Sequence, residues 1–189
     1  MNAPLASHSK VKLRVDDFDR LAEGGGLVDF ERTELLDGDI YLMAPQYSLH
    51  SFAKSLFYDA VLDWTRANRP DLFVRTETSV AMPPNDEPMP DVILTSERRG
   101  RKGIPAATIL LLVEIADDSR DRDLGYKADL YARQGVPEYW VVDLKERVVV
   151  QHSVPGEAGY AVADAVPFGK AAVAATLTGL SVDTADLLD

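Results

Sequence analysis

The segment "TILLLVEIADDS", residues 108 to 119, limits the possible folds more than any other stretch of the chain. Leu110, Leu111, Leu112, Val113 and Ile115 leave no polar face if the backbone is extended. A strand apolar on both faces belongs inside a sheet covered by helices on each side. Glu114 interrupts the run, and period-two alternation sets it on the face of Leu110 and Leu112. An ionised carboxylate buried there costs several kcal/mol, in order of magnitude, unless a cation compensates it. The strand therefore predicts a sheet interior and a charged partner for Glu114.

The flanking pattern fills in the sheet. "VDDFDRLAEGGG" predicts a short helix capped near Asp16 and ended by three glycines. "TELLDGDIYLM" sets Asp37-Gly38 between two apolar runs, a β-hairpin signal. Leu49, Phe52, Ala53, Leu56, Phe57, Ala60 and Trp64 recur at helical spacing and predict a helix from Ser48 to Ala67. "LFVRTETSVAM" and "DVILT" read as strands separated by the Pro-rich "PPNDEPMP". A helix over Asp121 to Gln134 follows the central strand, with Gly135 as its stop and Pro137 just beyond. "EYWVVD" and "RVVVQHSV" predict a hairpin around Leu144-Lys145-Glu146, with Trp140 in the core. The tail, ending "LTGLSVDTADLLD", is a candidate edge strand. This order gives an α/β fold, a mixed central sheet flanked by helices. One domain is expected over 1–189, with an N-terminal helix and loop (1–30), a core (31–155) and a C-terminal extension (156–189).

At 189 residues the chain can bury a full core without help. It has no cysteine, which excludes disulfides and thiolate metal sites and fits a reducing, cytoplasmic compartment. "MNAPLASHSKVKLRVDDF" lacks a signal-peptide pattern, and no apolar run approaches the roughly 20 residues that span a bilayer. No membrane association is expected. The net charge of -11 argues against a broad nucleic-acid-coating surface. Locally, "SERRGRKG" gathers Arg98, Arg99, Arg101 and Lys102 in one loop, which is either a solvated surface or a phosphate-contacting patch.

Three further positions carry potential chemistry. Asp91 follows Pro90 at the mouth of the strand "VILT", where it either caps a turn or faces a site. Lys127 falls between Leu124, Leu130 and Tyr131 on the helical stripe facing the sheet. It either pairs with Asp123 or snorkels to water, or it serves a site on the sheet. Two carboxylates at the ends of neighbouring strands suit a hard cation such as Mg²⁺. Such an ion activates water and polarises a phosphoryl oxygen, while a lysine stabilises the charge that develops. The histidines His8, His50 and His152 are scattered, "AEGGG" lacks a phosphate-loop lysine, and no nucleophile elbow is present.

"PDVIL" followed by "LLLVEIADDSRDRDLGYKADLYARQGVPEYWVVD", with "RTELLDGDIYLMAP" upstream and "LTGLSVD" downstream, resembles the Uma-two family of restriction-endonuclease-like proteins, within the PD-(D/E)xK nuclease superfamily. The resemblance covers nearly the whole chain. It implies a nuclease core in which Asp91 and Glu114 bind the metal, with the backbone carbonyl of Ile115 as a further ligand. The superfamily lysine normally lies two residues after the second acid, where this chain has Ala116. The resemblance moves that role to Lys127. Glu34 opens the strand "ELLDG" and is either an extra acid of the site or an exposed hairpin residue. His50 and Tyr131 are candidates for supporting positions: His50 as a half-buried histidine, Tyr131 packed on the sheet with its hydroxyl toward the site.

The function expected is a Mg²⁺-dependent endonuclease hydrolysing DNA phosphodiester bonds, with Mn²⁺ able to substitute. Cutting both strands calls for two sites or two nicks, which fits a homodimer. The alternatives are a catalytically silent nuclease-like module that binds nucleic acid or a protein partner, and a metal-assisted hydrolase of smaller phosphoesters.

Overall fold

The structure, a computed structural model, describes residues 10–30 and 32–188. His8 lies outside the described residues. The segment that constrained the fold becomes β7 (Ile109–Ala116), third from one edge of a six-stranded sheet. The sheet runs β10 (Gly159–Pro167), β9 (Val148–Gly156), β8 (Glu138–Asp143), β7, β5 (Val92–Thr95), β3 (Phe73–Thr76). Only β7 and β8 pair in parallel; every other neighbour is antiparallel. The parallel pair requires a crossover. It is supplied by α3 (Arg120–Arg122), a π-helical turn (Asp123–Lys127) and α4 (Ala128–Arg133). The helix expected over 121–134 is therefore present, with a π turn at its centre. Gly135, at φ 74°, closes it as the N–H of Val136 reaches the Tyr131 carbonyl at 3.0 Å.

Both faces of β7 are buried, as its composition demands. Leu111, Val113 and Ile115 pack with Phe57 and Val61 of α2 (Ser48–Asn68), whereas Leu112 and Ala116 pack with Leu130 and Tyr131 of α4. Trp140 is fully buried. Leu110 departs from the expected alternation and packs on the α2 side. The register with β5 shifts at Leu94/Thr95, and the extra residue of a bulge reverses the facing of what precedes it. In α2 the buried stripe is Ala53, Phe57, Val61 and Thr65. Leu49 and Phe52, expected on that face, are 53% and 46% exposed.

Other elements refine the sequence reading. α1 (Val15–Glu23) is capped at Arg14, whose N–H is accepted by the Asp17 carboxylate at 3.2 Å, so the cap lies two residues before Asp16. "LFVRTETSVAM" breaks at Glu77, which adopts φ 48°. Its first part is β3; its second is β4 (Val80–Ala81), paired with β6 (Ile104–Pro105) away from the main sheet. The edge strand is β10 rather than the tail, and it pairs along β9, so the sheet continues past residue 155. The tail folds as β11 (Ala171–Val173) and β12 (Ser181–Asp183), a separate hairpin whose Ala172 and Val182 close the α2-side core. The buried Glu138 carboxylate pins it by accepting the N–H groups of Ala175 and Thr176.

The hairpin β1 (Thr33–Leu36) and β2 (Asp39–Leu42) delivers Glu34 to the sheet. Asp37 and Gly38 take φ 47° and 70°, as a tight two-residue turn requires. Gly38 also packs against the chain: an added Cβ would lie 2.7 Å from Lys12 Cβ and 2.9 Å from the Leu13 nitrogen. Gly38→Ala is expected to cost on the order of 3 kcal/mol in urea unfolding. Gly135→Ala, with open space around its Cβ, is expected to cost only about 1 kcal/mol. Equal costs would show that close packing at Gly38 contributes nothing to holding the hairpin.

Candidate active site

β5 and β7 fix the first two acids. Val92 pairs with Val113, so one step further along the antiparallel register Asp91 stands opposite Glu114. Asp91 is 3% exposed and Glu114 4% exposed. Asp91 does not cap a turn. Its Oδ2 accepts the Ile115 N–H at 2.8 Å, and its Oδ1 accepts the Gln46 side-chain amide at 2.9 Å. His50 Nε2 lies 3.5 Å from Oδ2. In a strand a residue's N–H and C=O point to the same side, so the Ile115 carbonyl is also turned toward Asp91.

Opposite this pair the crossover helix presents Lys127, 2% exposed. Its Nζ lies 2.8 Å from Glu34 Oε2 and 2.9 Å from Glu114 Oε1, and 3.8 Å from Asp123 Oδ1. The Asp123 partnership expected for an exposed helix thus exists, but both groups are buried in one cluster. Tyr131 donates its hydroxyl to Glu114 Oε1 at 3.1 Å. Glu34 is fully buried, which excludes the exposed-hairpin alternative for it. Three acids, Glu34, Glu114 and Asp123, therefore surround one lysine, and Asp91 stands beside Glu114 with His50 against its carboxylate.

The charge imbalance shows in the proton affinities. Burial pushes the Glu114 carboxyl up to about 8, against the pull of Lys127, with Asp123, Asp91 and Glu34 adding to the rise. Burial likewise raises Asp91 and Asp123. Burial alone would lower the Lys127 ammonium, but Glu114, Glu34 and Asp123 together raise it. Lys127 thus stays charged at neutral pH.

Asp91, Glu114 and Lys127 lie in an open cleft of about 470 Å³. Its lining also includes the apolar Leu42, Pro45 and Tyr47, the acidic Asp117, Asp118 and Asp121, and Arg32, His50 and Arg122. The basic loop is elsewhere. It leaves the end of β5 remote from Asp91; Arg98, Arg99 and Arg101 are exposed and form no ion pair among the described residues, and Lys102 binds Asp19 at 2.8 Å. Gln46, Arg32 and Arg122 were not legible as site residues, since each reaches the cleft from irregular chain or a helix start. Asp123 carried a weak signal, its four-residue spacing from Lys127.

No hydrogen bond among the described residues reaches Glu114 Oε2, and Asp91 is hydrogen-bonded by neutral donors alone. Among the described residues no group of three or more His, Cys, Asp or Glu is arranged as a metal cage. Two carboxylates beside a strand carbonyl, open to water, fit Mg²⁺, which retains several waters and takes one or two protein carboxylates.

A family model, Uma2, described as "Putative restriction endonuclease", matches residues 15–185. The chain belongs to this family. A search of curated proteins found no match. Among solved structures, a "putative nuclease belonging to DUF820" from Anabaena variabilis ATCC 29413 superposes with a TM-score of 0.68 at 14% identity, covering 92% of this chain and 96% of that one. At that identity the likeness establishes the nuclease-like fold. Among the described residues no helix is long and apolar enough to cross a membrane.

Because the folded state holds a proton on Glu114 that the unfolded chain releases near 4.5, stability without divalent ions should fall as pH rises from about 5 to 8. Asp91 and Asp123 act in the same direction. The expected drop is several degrees in Tm, at roughly 2–4 °C per kcal/mol for a chain of this size. Glu114→Gln should flatten the slope, and Mg²⁺ should raise Tm more at pH 8 than at pH 5. A Tm independent of pH in the wild type would contradict this account of the cluster.

Proposed function

We propose that the protein is a Mg²⁺-dependent endonuclease that hydrolyses phosphodiester bonds of DNA. The observation that carries this reading is the pair Asp91 and Glu114, opposed across β5 and β7 on a cleft floor with a permanently charged lysine beside them. Family membership supports it. When bound, the ion would lower the pKa of a coordinated water and draw charge from a phosphoryl oxygen. Asp91, Glu114 and the Ile115 carbonyl would hold it.

Each remaining group has a task set by its surroundings. Lys127, its proton favoured by Glu114, Glu34 and Asp123, donates, orienting water and offsetting charge on the phosphate. Glu34 and Tyr131 position Lys127 and Glu114 respectively, through contacts of 2.8 Å and 3.1 Å. His50 and Gln46 hold the Asp91 carboxylate. The lysine thus supplies from the helix what Ala116 cannot supply from the strand. Mn²⁺ would serve in place of Mg²⁺, and a homodimer would place two such sites on one duplex.

Asp91→Asn and Glu114→Gln should each lower Mg²⁺-dependent nicking of supercoiled plasmid by at least about a hundredfold while the circular-dichroism spectrum is retained. Residual cleavage equal to that of the wild type would sink the enzyme reading and leave the silent binding module. Arg98, Arg99 and Arg101, exposed on their loop, are proposed to touch DNA phosphates away from the cut. Replacing all three with Gln should reduce the slope of log affinity against log salt by about 2–3. An unchanged slope would return the loop to solvated surface.

A further inference from the structure

The apolar part of the cleft lining carries side chains the hydrolytic reading does not use. Tyr47 lines it while remaining 73% exposed, and Leu42, also in the lining, is 63% exposed. Tyr47 stands at the N-cap of α2, yet its side chain makes no capping bond. Water-facing apolar surface next to buried polar groups is the usual construction of a ligand site. The same cleft holds donors without acceptors. Arg32 Nε and Arg122 Nε are buried and form no hydrogen bond, and His50 Nδ1 is likewise unpartnered, although Arg32 Nη2 lies 2.9 Å from Glu77 Oε1. The nearest acid to Arg122 Nε is Glu34 Oε1, at 3.7 Å. Arg122 also sets its guanidinium over the Tyr41 ring at 5.8 Å. Buried donors left unpaired are costly, and the oxygens of a phosphate would satisfy them.

We propose that this part of the cleft is a subsite for one unpaired nucleotide, with the base stacked on Tyr47 and its phosphate held by Arg32 and Arg122, so that the preferred substrate is single-stranded or frayed DNA. The inference rests on the nuclease reading for the position of the cut. Two features favour a single strand. The cleft, about 470 Å³, is of small-molecule size rather than duplex size. Its lining also carries Asp117, Asp118 and Asp121, partly offset by Lys145 and Arg120, which offer no attraction to a second phosphate backbone. Stacking on an exposed aromatic is tolerant of sequence, so the subsite selects for unpaired bases and not for a particular base.

The test is fluorescence anisotropy of a labelled oligothymidylate and of a duplex of equal length, with full-length protein in EDTA, beside Mg²⁺-dependent cleavage of the same two DNAs. The wild type should bind the single strand at least tenfold tighter. Tyr47→Ala should lose about tenfold or more in single-strand affinity, Tyr47→Trp should retain it, and duplex binding should change little. Arg122→Gln should weaken single-strand binding and reduce its salt slope by about 1. Tyr47 is exposed, and unchanged Tm in its variants confirms folding. Equal affinity for the two DNAs, or no effect of Tyr47→Ala, overturns the subsite. Tyr47-dependent binding without cleavage of either DNA supports the subsite and rejects the nuclease reading instead, so the two failures are distinguishable.

Discussion

The contact between Lys127 and Glu114, 2.9 Å long and buried at the base of the cleft, is the interaction on which the rest depends. A carboxylate on the middle strand of a covered sheet needs a cation. The crossover joining the parallel strands β7 and β8 brings one there. The crossover must pack back over the face of β7 that carries Glu114. Tyr131, one turn after Lys127, packs on the same face and donates to the same carboxylate oxygen. The topology and the electrostatics are thus one constraint seen twice.

The pair is deliberately incomplete. Lys127 serves Glu34, Glu114 and Asp123 at once; burial raises the proton affinities of Glu114 and Asp123, and their acidic neighbours add to the rise. Removing either partner of a buried pair would leave an uncompensated charge worth several kcal/mol, in order of magnitude. A protein selected for stability alone would have replaced the group with apolar side chains. Retaining it is consistent with a site whose missing charge arrives with a ligand.

Much of this was legible in the residues. The doubly apolar face of β7, the Asp37-Gly38 turn, the Gly135 stop and the inward stripe of Lys127 each follow from local chemistry, and each appears in the structure. Where the reading missed, a non-local cause acted. The bulge opposite Leu94 turned Leu110 to the other core; the first turn of α2 left Leu49 and Phe52 exposed; and the positive φ at Glu77 split one strand into two. The tail gave no hint that Glu138 would anchor it as a separate hairpin.

The sequence by itself determined which residues are unusual: a glutamate in an apolar strand, an aspartate behind a proline, a lysine on a buried stripe. These are local violations of burial, readable because the cost of a buried charge does not depend on which partner meets it. Only the tertiary structure decided who the partners are. Glu34 meets Lys127 across 93 residues of chain, and Arg32 and Gln46 reach the cleft from irregular segments with no periodicity. Convergence of that kind is set by strand register and crossover geometry, which place distant side chains within 3 Å and leave no trace in the spacing of the residues themselves.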